Sequence, residues 1–356
     1  MNSDNFIKGR GAQQNTPNRF FENHHETRDD FLEFCRLEGE EADKHKTQYI
    51  PIFPKTIVNK VTSPDVGMMY SMNPYQGCEH GCIYCYARNT HEFWGYGPGL
   101  DFERKILVKK AAPDLLEAKL KSKRWEAKTI VLSGNTDCYQ PVEKKFGITR
   151  ACLEVFQKFR HPVGIITKNS LILRDLDILK ELAKDRLVGV NVSVTSLSEE
   201  TRRILEPRTA SIKKRLETIQ ILSENNIPVN AMLAPIIPGI NSHEIMSLAK
   251  AVSDNGARSF AFTVVRLNGA IGGIFTDWIK KALPDRADKV LHQIGECHGG
   301  SLNDSRFGIR SGEGKIATQI HDLVRLARHT YFKDKSFPDL NHDLHEHYKS
   351  GQMRLF

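Results

Sequence analysis

The chain has 356 residues, 40% hydrophobic and 26% charged, the balance of a globular protein rather than of a disordered or fibrous one. No apolar run is long enough for a membrane span, since the most apolar segment (229–240) is broken by Pro235 and Pro238, and no apolar stretch follows Met1 as a secretory leader requires. Seven cysteines, three of them clustered, speak against a disulfide framework and for a reducing, cytoplasmic setting with a thiol-bound metal, while the net charge of +8 suits a polyanionic partner such as nucleic acid.

Residues 1–50 are polar and without sustained period, the composition of a mobile arm, with one short helix expected over 29–36 around Cys35. From residue 51 the pattern alternates. Strands are expected at 68–73, 129–133, 163–167, 187–194, 228–234 and 259–265. Helices are expected at 113–123, 148–159, 175–184, 198–205, 211–225 and 243–254. The strands are short, β-branched and near-continuously apolar, which predicts parallel strands buried on both faces and an α/β domain of βαβ units over 51–266. Residues 267–356 form a mainly helical extension: a Gly-rich connection (269–273), helices at 276–283, 286–297 and about 314–332, then an irregular histidine-containing tail. The helix from 314 carries Ile316, Ile320, Leu323, Val324 and Ala327 on one stripe, which predicts docking on the α/β core with a solvated basic face. The glycines at 269–273 lack the Lys-Ser/Thr of a phosphate-binding loop.

The most informative stretch is 71–93, S-M-N-P-Y-Q-G-C-E-H-G-C-I-Y-C-Y-A-R-N-T-H-E-F. Cys78, Cys82 and Cys85 stand at C-x3-C-x2-C spacing, with Gly77 and Gly81 beside two of them. Three thiolates are one short of the four that close a cysteine-ligated cluster, so one iron stays open to a ligand. His80 offers an alternative, a Cys3His zinc site, although no second C-x2-C follows.

With Tyr84 as the aromatic before the third cysteine, the stretch resembles the signature of the radical S-adenosylmethionine (SAM) superfamily. The resemblance implies a partial (βα)6 TIM-type barrel with its chemistry at the C-terminal strand ends. It also implies a [4Fe-4S] cluster on the three cysteines, SAM on the open iron, and a reductant such as flavodoxin or ferredoxin. One electron from the cluster would then cleave SAM to a 5′-deoxyadenosyl radical, chemistry that belongs to the cofactor while the protein supplies placement.

The strand ends hold the other candidates. Ser133, Gly134, Asn135, Thr136 and Asp137 occupy the place of the family's Gly-Gly-Glu segment, which binds the SAM amino group, but the glutamate is absent. T-D-x-Y-Q-P-x-E (136–143) resembles the branch containing spore photoproduct lyase, a DNA-repair enzyme. Without the cysteines the same residues would read as a polar turn with Asp137 capping a helix. Lys168 is placed to pair the SAM carboxylate, or is a solvated lysine. Ser193, with Thr195, is placed for the ribose, or caps the next helix. Arg208 offers a guanidinium clamp for a carboxylate or phosphate, or a surface ion pair. Pro235, Ile236 and Pro238 resemble the adenine-contacting segment, and equally any stiff loop. Cys138 is either a hydrogen-atom donor, as the lyase branch implies, or a buried hydrophobe like Cys152 and Cys297. The expected function is a radical SAM enzyme acting on an unidentified substrate, with DNA repair of the lyase type first. Modification of RNA or protein, and a non-catalytic zinc or iron–sulfur module, remain as alternatives.

Overall fold

A computed structural model of the chain describes residues 6–20, 46–306, 308 and 310–350. The helix expected around Cys35 lies outside the described residues. In chain order the strands are β1 (Gln48–Pro51), β2 (Asn59–Lys60), β3 (Tyr70–Met72), β4 (Tyr75–Gln76) and β5 (Lys105–Val108). There follow β6 (Ile130–Leu132), β7 (Val163–Thr167), β8 (Val188–Ser193), β9 (Val229–Ile236) and β10 (Ser259–Val264).

Six of them build the predicted parallel series. The large sheet runs β10-β9-β8-β7-β6-β3-β2, parallel from β3 to β10, with β2 antiparallel on its outer edge. It stays open between β2 and β10 and does not close into a full barrel. Helices Ala112–Lys121, Ile148–Lys158, Leu176–Lys184, Ile212–Glu224 and Ile245–Asp254 connect successive strands. Their apolar stripes pack with Leu132, Ile165, Val190 and Leu233 into one core. This is the βαβ logic read from the sequence.

Burial of the strands on both faces was the expectation; it holds along β7 and β8 except at Ile166 and Asn191, and fails along β9 and β10. Along β9 burial alternates, and Asn191, Asn230, Met232 and Ser259 are half-exposed on the side away from the core. There Ile166, Asn191, Asn230 and Ser259 stand in register as one row, and the Asn230 amide bonds Asn191 Oδ1 at 2.8 Å. Apolar composition hid this because the half-exposed positions of β9 and β10 include Met232, Ala261 and Phe262, which read as core residues.

Three segments depart from the sequence reading. The glycines at 269–273 open the helix Ala270–Ala282 rather than forming a connection. Each glycine costs a helix about 1 kcal/mol, but Ile271, Ile274, Phe275, Trp278 and Ile279 bury a continuous stripe worth about 1.5–3 kcal/mol per side chain. A small second sheet, β1-β5-β4, stands beside the cysteine loop, its strands too short to be read from pattern. The tail is partly ordered: Phe337 and Leu340 press on Gly189 at the N-terminal end of β8, and the helix Asp343–Ser350 buries His345, whose ring bonds Phe159 O at 2.8 Å. The floor of the sheet is thereby closed by the C-terminal residues.

Of the polar arm, residues 6–20 are packed rather than free. Gly11 and Ala12 donate their backbone N–H groups to the Glu103 carboxylate, and Arg10 donates to Glu103 O at 2.9 Å. Gly11 lies so close to the cysteine loop that a Cβ there would overlap the Gly81 carbonyl oxygen.

Candidate active site

The cysteine loop leaves β4 and bends at Gly77 and Gly81, both at positive φ, before the turn Tyr86–Trp94. An L side chain would be strained at either bend. Backbone bonds fix the loop: Cys78 N–H to Phe102 O at 2.8 Å, Ile83 N–H to Leu205 O at 3.0 Å, and Cys85 N–H to Cys82 O at 3.3 Å. Cys78 and Cys82 are buried and Cys85 half-buried, all three as free thiols.

Beneath the loop, Arg88 spends every guanidinium donor. It bonds Cys82 O, Pro98 O and Gly99 O, and meets the Glu103 carboxylate at 2.6 Å, both side chains being fully buried. Glu103 in turn holds the strap at Gly11 and Ala12. Neither Arg88 nor Glu103 was singled out from the sequence, since an isolated Arg and Glu carry no periodic signal.

The T-D-x-Y-Q-P-x-E segment braces this loop. Thr136 donates to Tyr75 O at 2.6 Å, and Gln140 spans the loop from Gly77 O to Glu79 N–H at 3.0 and 2.9 Å. Glu143 accepts from Tyr75 OH, Thr149 N–H and Arg174. Asp137 accepts from Thr167 Oγ1 and from the backbone N–H groups of Lys168 and Tyr139, and it faces His80 Nδ1 at 3.4 Å. Burial alone would raise the Asp137 pKa, but His80 and these N–H donors carry it below the usual carboxylate range. The other His80 nitrogen lies 3.3 Å from Asn169 Nδ2. Both His80 nitrogens are therefore engaged away from the thiols, and the Asp137 carboxylate orients His80 and the end of β7.

Tyr84 reaches a second buried network. Its hydroxyl donates to Glu206, which also accepts from Thr195 Oγ1 at 2.8 Å and pairs with the buried Arg215. Burial would raise Glu206, yet Arg215, Lys168 and Tyr84 together hold it down to about 2. Arg215 also donates to Ser193 O at 3.0 Å, tying the end of β8 to the turn below Tyr84. Arg215 interrupts an otherwise apolar helix stripe (Ile212, Ile219, Leu222), a signal that a careful reading of periodicity could have caught. Lys168 lies within electrostatic reach of Cys82, Cys85 and Glu206, and its ammonium makes no hydrogen bond or ion pair with a described residue.

The remaining candidates divide. Ser133, at φ 74°, accepts from Cys138 N–H, and Gly134 O accepts from the Tyr86 hydroxyl, so both sit beside the cysteine loop. Asn135 N–H is held by Asn73 Oδ1 at 2.8 Å, leaving its side chain half-exposed. Ser193 is buried at the end of β8; Ser198, not Ser193 or Thr195, caps the helix Glu199–Leu205. Pro235, Ile236 and Pro238 wrap around Asn241, which bonds Ile237 N–H, Pro235 O and Thr195 O. Arg208 donates its backbone N–H to His80 O at 3.3 Å, and its side chain is exposed, with Arg10 and Tyr49 as electrostatic neighbours. Cys138 is fully buried in the main core, and burial pushes its thiol up. Cys152 and Cys297 are core residues as well.

A profile of the radical SAM superfamily matches residues 72–252, half of the chain, beginning at the cysteine loop. The chain belongs to the radical SAM superfamily. Its relatives include an uncharacterised protein of Mycobacterium tuberculosis, 30% identical over 234 residues (65% of this chain, 69% of the relative). Another is an uncharacterised protein of Methanocaldococcus jannaschii, 33% identical over 195 residues (55% and 70%). Among solved structures, spore photoproduct lyase complexed with dinucleoside spore photoproduct shares the fold at a TM-score of 0.59, over 80% of this chain and 79% of that one, at 15% identity. A variant of that lyase with bound AdoMet and dinucleoside spore photoproduct gives 0.58.

Membership of the radical SAM superfamily implies a [4Fe-4S] cluster and SAM, and the donor set fits both. In a cluster each cysteine serves its own iron, so the sulfurs need not converge as ligands of one ion do. Among the described residues no three His, Cys, Asp or Glu side chains are gathered as a single-ion site, and His80 faces Asp137 and Asn169. Burial raises the pKa of all three thiols, with Asp137 and Glu206 adding to it at Cys78 and Cys82. Such thiols ionise when a cationic metal centre answers their charge. No helix among the described residues is long and apolar enough to cross a membrane.

Proposed function

We propose that the chain is a radical SAM enzyme whose cluster is held by Cys78, Cys82 and Cys85 and whose substrate is a nucleic acid. When bound, the cluster and SAM supply a 5′-deoxyadenosyl radical that abstracts hydrogen. The observation that carries the reading is the unpartnered Lys168 ammonium at the end of β7, within electrostatic reach of Cys82 and Cys85. A cation there would pair the carboxylate of a bound SAM. Ser133, Gly134 and Asn135 offer backbone and amide groups to the amino end of the cofactor, Ser193 a hydroxyl to the ribose, and Pro235, Ile236 and Pro238 a stiff wall to the adenine. Tyr84, fixed by Glu206, closes the cofactor side of the loop. Asp137 and Thr136 act one layer out, by holding His80 and the loop. Cys138, sealed in the core, is a packing residue in this reading, so a hydrogen atom returned to a substrate radical comes from another donor.

A DNA substrate of the lyase type is favoured by the shared fold, the net charge of +8 and the half-exposed inner face of the sheet. RNA or protein modification uses the same site. Iron and sulfide analysis of anaerobically reconstituted protein tests the cluster: about four of each are expected, and a single bound zinc contradicts it. Adding SAM to the reduced protein should change its electron paramagnetic resonance spectrum, and Lys168→Ala should weaken that effect about tenfold in SAM concentration. Binding to a DNA oligonucleotide should fall steeply with salt; equal weakness at all salt concentrations contradicts the nucleic-acid assignment.

A further inference from the structure

Three large aromatic side chains stand out of the surface around the end of the turn Tyr86–Trp94. Phe93 is 69% exposed, Phe20 54% and Trp94 40%, whereas Trp125 and Trp278 are buried. The Phe20 and Phe93 rings lie 5.1 Å apart at 36°, and the Arg19 guanidinium sits over both, 4.8 and 5.8 Å from their centroids. The group is clipped in place. Buried Glu92 accepts from Arg19 N–H at 3.1 Å and meets Arg19 Nε at 3.2 Å. Asn18 Nδ2 donates to Glu92 O at 2.8 Å and to Tyr96 O at 3.2 Å. The two terminal guanidinium nitrogens of Arg19, on an exposed side chain, make no hydrogen bond with a described residue. Aromatic rings held together in water mark a contact surface rather than core packing.

We propose that Phe20, Phe93 and Arg19 form a stacking platform for a single-stranded stretch of the nucleic-acid substrate, with bases on the rings and a phosphate on the free guanidinium nitrogens. The inference rests on the nucleic-acid reading above and adds where the strand lies. Every base has a π-face, so rings beside a cation hold a strand whatever its sequence. Size argues against a protein partner. At about 200 Å² for each side chain, the three aromatics expose roughly 300 Å² together, against about 800 Å² covered on each partner of a stable protein complex. Position suits a substrate. The turn begins at the residue after Cys85, and its nine residues span about 18 Å at about 2.0 Å each, or about five nucleotides of a stacked strand at about 3.4 Å. Buried Ala87, Arg88, His91 and Glu92 anchor the turn, so that distance is fixed. A strand with its reacting nucleotide at the cluster meets the platform with bases a few positions away.

The test follows anisotropy of a short fluorescein-labelled oligothymidine strand with full-length reconstituted wild type, Phe93→Ala, Phe20→Ala, Phe93→Tyr and Arg19→Gln. Phe93→Ala is expected to weaken binding about tenfold with the salt dependence unchanged, and Phe93→Tyr, which keeps a ring, to bind as wild type. Arg19→Gln should instead lower the slope of log affinity against log salt by about 0.7. A strand of the same length made of abasic sites should bind the wild type and Phe93→Ala equally weakly. Formation of 5′-deoxyadenosine from SAM under dithionite, with no strand present, should be equal in wild type and Phe93→Ala. Salt-dependent binding of the oligothymidine that is the same in wild type, Phe93→Ala and Phe20→Ala overturns the platform and leaves the nucleic-acid reading standing. So does wild-type self-association that Phe93→Ala abolishes with strand affinity intact, which would give the rings to a second copy of the chain. Wild-type protein that binds neither this strand nor a duplex at any salt concentration sinks the nucleic-acid reading itself, and the platform with it.

Discussion

A carboxylate sealed from water is tolerated only where its charge is answered, and Glu206 is answered by Arg215, Tyr84 and Thr195 together. The pair is worth less in net stability than the cost of breaking it, because the survivor is left charged and unmatched in the core. Glu206→Gln should therefore destabilise by about 3 kcal/mol in urea unfolding, and adding Arg215→Met should recover part of the loss. A change under about 0.5 kcal/mol for Glu206→Gln, the size of an exposed ion pair, would show that the pair is not sealed. At this scale the sequence was legible where chemistry is spelled by spacing. The three cysteines, Tyr84 and Lys168 announce themselves by type and position. Asp137 and Gln140 were legible as a motif but not as a brace, because the loop they hold is distant in the chain. Gly11 carried no signal at all, since its importance lies in the carbonyl of Gly81 opposite it.

At the scale of elements, the βα alternation was legible because each connecting helix keeps an apolar stripe, and two helices open on capping serines, Ser198 and Ser211. The floor of the sheet was not, because it is built from the tail. There His161 accepts from Trp125 Nε1 at 3.0 Å and meets the His345 ring edge-on at 4.8 Å. Burial, with His345 beside it, lowers the His161 pKa from 6.5 to about 3. The neutral ring is thus the folded form. Above pH 6.5 its contribution is complete, and as pH falls toward 3 the unfolded chain takes up a proton that the folded chain refuses, so stability drains away. The urea midpoint should drop between about pH 7.5 and 5, and the drop should be smaller in His161→Gln. An identical drop in both proteins would remove His161 as the cause.

The whole molecule closes its open sheet with its own ends. Residues 10–12 seal the back of the cysteine loop, and Phe337, Leu340 and His345 seal the strand starts. A polar composition predicted an arm in the first case and an irregular tail in the second. Neither prediction could foresee that a few residues within each would find a partner 70 to 200 positions away. The strap makes a clear demand: Gly11→Ala, whose Cβ would strike the Gly81 carbonyl, should lower iron content per chain severalfold after reconstitution. Gly67→Ala, which meets open space, should leave it unchanged. Full iron content in Gly11→Ala would detach the strap from the cluster site.

The most direct measurement is 5′-deoxyadenosine released from SAM by anaerobically reconstituted protein under dithionite, with Cys82→Ala beside it. Formation of the nucleoside by the wild type and none by Cys82→Ala is the expected result. Equal formation by both proteins, or a wild-type chain that holds one zinc and forms no nucleoside, would contradict the assignment of Cys78, Cys82 and Cys85 to a SAM-cleaving cluster.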